Sequence, residues 1–163
     1  MAEAASNPYQ RETVPLDDVL AQEGQEIGIT RWFRMDQERV NAFADCTEDW
    51  YYIHTDPEKA KAETPWGGTI AHGFLTASLL SAMAYDVVPR IEGVAHGVNY
   101  GFDKLRFVSP VPVGSNVRGR FVLKKADTAK DGEITLTYGV TVEIEGQDRP
   151  ALAADWIARQ FFH

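Results

Sequence analysis

Residues 43–81 read FADCTEDWYYIHTDPEKAKAETPWGGTIAHGFLTASLLS. Two unlike halves meet here. The first is polar and irregular, and it sets Asp49 and His54 five residues apart. The second, from Gly68 onward, is apolar, small and uncharged for more than three helical turns. A helix without a polar face is buried on all sides. The expectation is therefore a loop carrying an acid and an imidazole, followed by a helix over about Gly68 to Tyr85 that the rest of the chain wraps.

Upstream, residues 1–15 are small and polar with Pro8 and Pro15, and are read as a mobile arm before a single domain over 16–163. Pro15 to Leu20 suits one helical turn, and the Ile27/Ile29 alternation suits an edge strand. Asp36 is a candidate N-cap for a helix over Gln37 to Asp45, whose Val40, Phe43 and Ala44 share a face. Asp56 precedes Pro57, a residue favoured at the first helical position.

Downstream of Pro89 the period changes to two. Strands are expected at His96 to Phe107, around Val117 to Leu123, at Ile134 to Ile144 and at Ala151 to Phe162. Asp131-Gly132 marks a hairpin turn. Several antiparallel strands preceded by one apolar helix make an α+β pattern.

The 163 residues suit one domain with a sizeable core. Sixteen Lys and Arg stand against 24 Asp and Glu, which speaks against a nucleic-acid partner because phosphate neutralisation needs clustered cations. There is no long uninterrupted apolar run and no signal-like N-terminus, so no membrane partner is expected. The single cysteine, Cys46, fits a reducing cytoplasm. No HExxH or cysteine cluster is present, and His54, His72 and His96 have no recognised metal spacing, so no metal is expected.

The stretch Asp49-Trp50-Tyr51-Tyr52-Ile53-His54-Thr55-Asp56, followed by Gly67-Gly68-Thr69-Ile70-Ala71-His72-Gly73, resembles the MaoC-like and nodulation-protein-N-like dehydratase family, of the R-specific enoyl-CoA hydratase type. The resemblance runs from about Trp32 to the end of the chain. It departs where the family usually has Gly before the Asp and Asn-Pro before the apolar residue and His; this chain has Glu48, Tyr51 and Tyr52. The resemblance implies a hotdog fold, a curved antiparallel sheet wrapped around a central helix, paired as a homodimer or dimer of dimers. It also implies reversible addition of water to the 2,3-double bond of an enoyl thioester of coenzyme A or acyl carrier protein, giving an R-3-hydroxyacyl product. No cofactor is implied; coenzyme A enters only as part of the substrate.

On that resemblance Asp49 and His54 activate the water, and the Gly73 N–H stabilises the thioester oxygen. Ser81 matches a serine that supports the Asp–His loop. Trp50, Tyr51, Tyr52 and Trp66 are candidate pocket walls, with ordinary loop packing as the alternative. Lys104 and Arg106 are candidates for the coenzyme A phosphates, with a solvated face as the alternative. His72 is read as structural. Two other functions stand beside hydration: a hotdog thioesterase, which commonly places a carboxylate on the central helix, where Thr69 to Tyr85 has none, or on a facing strand, and a non-catalytic acyl-binding subunit.

Overall fold

Two aspartates start the helices on either side of the Asp49–His54 loop. In the computed structural model, which describes residues 11–163, Asp36 caps α2 (Gln37–Thr47) by accepting from the Arg39 N–H at 2.9 Å. Asp56 caps α4 (Pro57–Glu63) by accepting from the Lys59 N–H at 3.0 Å. Between them lies α3 (Tyr52–Thr55), a single turn. Each cap satisfies an N–H that the helix start leaves without a partner.

The strands are β1 (Thr13–Val14), β2 (Glu26–Ile29), β3 (Phe33–Arg34), β4 (Arg90–Ile91), β5 (Val94–Phe107), β6 (Asn116–Asp127), β7 (Glu133–Ile144) and β8 (Leu152–Phe162). The main sheet has the order β2-β6-β7-β8-β5, with β3 also pairing β6, and its pairs are antiparallel. Alternation in β6 and β7 sends Val117, Phe121, Leu123, Leu136, Val140 and Val142 to one buried face.

On that face lies α5 (Gly73–Val87), which contributes Leu75, Leu80, Met83 and Ala84 to the core. Gly119 lets the helix in: a Cβ there would meet the Phe121 ring at 2.6 Å and the Met83 sulfur at 3.1 Å. The architecture is the expected α+β hotdog.

Three expectations change. The helix begins at Gly73, not Gly68, because Thr69 to Ala71 is extended. Ala71 N–H donates to Val111 O at 2.8 Å and Val113 N–H to Thr69 O at 2.9 Å, around an isolated bridge between Ile70 and Pro112. The helix is also not covered all round, since Phe74 is 68% exposed and Ser78 and Tyr85 on the same stripe are exposed.

Finally, the arm read over 1–15 does not reach residue 15. Residues 1–10 lie outside the described residues, but Thr13 and Val14 pair in parallel with Arg90 and Ile91 before α1 (Leu16–Leu20). No helix among the described residues is long and apolar enough to cross a membrane.

The sheet's last strand, β5, has most of its residues exposed, with apolar Val98, Tyr100, Phe102 and Phe107 among them. Its clean sequence alternation is broken by three register shifts against β8.

Leu80 is 1% exposed at the helix–sheet contact. Leu80→Ala is expected to cost about 2–5 kcal/mol of unfolding free energy, read from denaturant titration. A loss under about 1 kcal/mol would be surface-like and would show that this contact is not the core.

Candidate active site

Asp49 is placed by the end of α2. Glu48 adopts the left-handed conformation at φ 60°, the one positive φ at a non-glycine among the described residues. That turn brings the Asp49 N–H onto Ala44 O at 3.1 Å, the long hydrogen bond that closes a Schellman motif. The family's usual glycine takes this backbone at no steric cost. Here Glu48 takes it against its own Cβ. The Asp49 side chain emerges 55% exposed.

His54 is buried, and its ring is oriented by backbone. Nδ1–H donates to Ile70 O at 2.7 Å, a bond that fixes the tautomer because a carbonyl can only accept. The basic lone pair is then on Nε2. The two segments meet twice, since Ile70 N–H also donates to Ile53 O at 3.0 Å. Gln37, on the first turn of α2, secures the same junction. Its Nε2 donates to His54 O at 2.7 Å, and its Oε1 accepts from the Thr69 hydroxyl at 2.6 Å.

Burial lowers the His54 pKa from its ordinary value, the Ile70 carbonyl raises it, His72 lowers it and Asp49 raises it; the net direction is down.

His72 enters the site as well. Its ring stacks on His54 with centroids 3.8 Å apart, and its Nε2–H donates to Asp49 O at 3.0 Å. Ligand-type atoms of Asp49, His54 and His72 all lie within 4.8 Å of one another. Two of the four imidazole nitrogens already donate protons to carbonyls, so the set suits proton transfer better than a closed metal shell, which needs deprotonated donors.

Gly73 is the first residue of α5, and the N-cap position, His72, makes no side-chain cap. The Gly73 N–H is thus one of the donors a helix start leaves for an outside acceptor, at the positive end of the helix dipole. Its missing Cβ admits an aromatic ring, since a Cβ there would meet the Phe107 ring at 3.0 Å.

The other candidates separate. Ser81 lies two turns along α5, accepts from Asn99 Nδ2 at 3.2 Å, and lines a cavity of about 410 Å³ with Ala84, Tyr85, Tyr138 and Trp156. It does not support the Asp–His loop within the chain.

Lys104, its side chain 77% exposed, lies 4.0 Å from Asp155, and exposed Arg106 donates to its own neighbour's carbonyl, Leu105 O. Both side chains are exposed on β5. Trp50, Tyr51 and Trp66 are exposed, while Tyr52 packs edge-on against Tyr51 and under the Lys59 ammonium. Gln37 and His72 are the residues that sequence reasoning left out of the site. For His72, its place in the AHG motif beside Gly73 was the available signal. Gln37 offered none.

This geometry sets an acid, two imidazoles and a helix start at one loop–helix junction of a hotdog fold. Residues 18–144 match the MaoC like domain, and the chain belongs to the MaoC-like dehydratase family. It is 49% identical over 145 residues to Nodulation protein N of Rhizobium meliloti, covering 89% of this chain and 90% of that protein. It is 43% identical over 142 residues to 3-hydroxyacyl-thioester dehydratase Z of Mycobacterium tuberculosis, covering 87% and 93%. Among solved structures, the (R)-hydratase from A. caviae involved in PHA biosynthesis superposes with a TM-score of 0.66 at 27% identity, covering 83% of this chain and 94% of that one.

Glu48→Gly is expected to stabilise the protein by about 0.5–1 kcal/mol, the left-handed strain relieved less the added chain entropy of glycine. Thermal unfolding checks it; a destabilised variant would show that the Glu48 side chain outweighs the strain.

Proposed function

We propose that the protein is a hydratase/dehydratase that adds water reversibly across the 2,3-double bond of an enoyl thioester to give an R-3-hydroxyacyl product. The observation that supports this most directly is the convergence of the Asp49 carboxylate and the His54 imidazole within 4.8 Å, at the end of α5 where the Gly73 N–H begins the helix. A water between the two loses its proton to His54 Nε2 as it attacks C3 of the substrate. Asp49 orients the water and shares the proton. The proton then reaches C2, and the negative charge that builds on the thioester oxygen is met by the Gly73 N–H. His54 suits a base because burial favours its neutral form.

The names of the relatives, one a 3-hydroxyacyl-thioester dehydratase and one an (R)-hydratase, support the reaction class and the R product. A hotdog thioesterase commonly uses a carboxylate on the central helix or a facing strand. The helix does carry one, Asp86, near its other end, where it is bonded to Arg31. The acyl carrier, coenzyme A or acyl carrier protein, is part of the substrate.

We place the working form as a homodimer or dimer of dimers, because β5 presents an edge unpaired among the described residues and, with Phe74, an exposed apolar surface of the kind a second copy covers. The exposed free Cys46 fits a reducing cytoplasm. Light scattering at micromolar concentration is expected to give twice or four times the chain mass; a stable monomer contradicts this.

Asp49→Asn and His54→Ala are each expected to lower the turnover number by at least about 10², with fold retained by circular dichroism. The double variant is expected to be little worse than the poorer single, as for groups that act as a unit. A folded Asp49→Asn protein that hydrates near the parent rate rules the mechanism out.

The sign of the His54 shift sets the pH profile. Its folded pKa lies below the unfolded value of about 6.5, so the acid limb of kcat/KM should fall below that pH. Burial of neutral His54 also contributes stability that is lost as pH falls from the unfolded pKa towards the folded one. An acid limb centred above pH 7 would assign the base elsewhere.

A further inference from the structure

We infer that His72 is a positioning residue that locks Asp49 and His54 into one unit; its geometry stands alone, and its effect on turnover rests on the hydratase reading above.

Four observations converge on this side chain. Its Nε2–H donates to Asp49 O at 3.0 Å. The Asp49 N–H is already committed to Ala44 O, so both backbone polar groups of Asp49 are tied and only its carboxylate is left free to meet a water. The nearer carboxylate oxygen is 3.9 Å from the same nitrogen, beyond hydrogen-bond range. The His72 ring also lies face-on to His54 at 3.8 Å and 26°, covering one side of the base. With Nδ1–H of His54 held by Ile70, that cover removes the remaining freedom of the ring.

The third observation is what backs His72. Phe43 of α2 packs against it at 5.1 Å, so Phe43, His72 and His54 form a three-ring wedge across α2, α5 and α3. The last is burial. His72 is 2% exposed, and its Nδ1 has no hydrogen-bond partner among the described residues. A buried nitrogen left unpartnered is costly, and an apolar residue would fill the same space without that cost. The side chain is therefore poorly explained as filler and well explained by what Nε2 and the ring face hold. Being also the N-cap of α5, His72 shares a peptide bond with Gly73, so one residue touches all three parts of the proposed machinery.

The two functions of the side chain can be removed separately. His72→Phe keeps a stacking ring and loses the donor to Asp49. His72→Gln keeps an N–H donor near Nε2 and loses the ring. Each variant, checked for fold by circular dichroism, is assayed with crotonyl-CoA. The expected result is a fall in kcat of about tenfold to hundredfold, the scale of a misplaced catalytic group, with KM held within about threefold.

Because His72→Phe acts through Asp49, it should add less than about threefold further loss in an Asp49→Asn background. Near-parental kcat in both folded variants overturns the inference, and so does a loss that multiplies with Asp49→Asn. If either substitution prevents folding, His72→Asn and Phe43→Leu, which unbacks the wedge from the α2 side, are assayed by the same criteria. If the parent itself turns over no enoyl thioester, the hydratase reading fails separately, and long-range ¹H–¹⁵N spectra of the imidazoles decide on the clamp. A single Nδ1–H tautomer of His54 in the parent that becomes mixed or broadened in His72→Gln supports it. An unchanged His54 spectrum overturns it.

Discussion

The hydrogen bond from His54 Nδ1–H to the Ile70 carbonyl is the contact on which the rest of the site depends. It fixes which nitrogen is basic, and it is made by a residue whose own placement is a property of the whole fold. Ile70 is extended because its neighbours pair with Val111 and Val113, and that pairing delays the helix until Gly73. Had the helix begun at Gly68, as composition suggests, the carbonyls of residues 68–72 would point along the helix axis to their own fourth neighbours. Ile70 O would then be unavailable to the imidazole, and the free N–H groups would sit one turn too early.

The parts of the fold that were legible in the sequence are those where local chemistry and tertiary demand agree. Asp36 and Asp56 cap the helices they precede, and Pro57 takes a first-turn position. Strict alternation in Ile134 to Ile144 and in Val117 to Leu123 became two buried strands. What was misread depends on partners distant in sequence. Gly68 to His72 has helical composition, but residues 111–113 claim its backbone. Ser81 carries the right residue type at the right spacing from Gly73, yet two turns of helix separate it from the loop, and Asn99 takes its hydroxyl. The missing Cβ of Gly73 is filled by Phe107, a residue 34 positions away that no local pattern could indicate. Asp49 and His54 are linked by a local spacing that the sequence displays; the contacts of Gln37 and His72 are made across elements, which no local spacing displays.

The departures from the family pattern also acquire physical meaning. Glu48 shows that the left-handed turn is demanded by the Schellman closure and not by the residue that occupies it. Tyr51 and Tyr52 replace Asn-Pro, yet the single turn of α3 still forms and His54 is still delivered to Ile70. Tyr52 is turned toward α4, where it meets Lys59, so the bulk of this pair is partly spent on packing. Exposure of the Asp49 carboxylate, with Trp50, Tyr51 and Trp66 exposed near the loop in sequence, leaves the polar chemistry at an open rim. Closing such a rim to water strengthens every electrostatic contact inside it.

The most direct test of the account follows two signals from one reaction of the unmodified protein with crotonyl-CoA: the absorbance of the conjugated thioester and the release of free thiol. Activation of water by Asp49 and His54 for addition to C3 predicts loss of absorbance with no thiol released. Thiol release in step with the absorbance change would make the protein a thioesterase and contradict the account, and so would a bound substrate that changes neither signal.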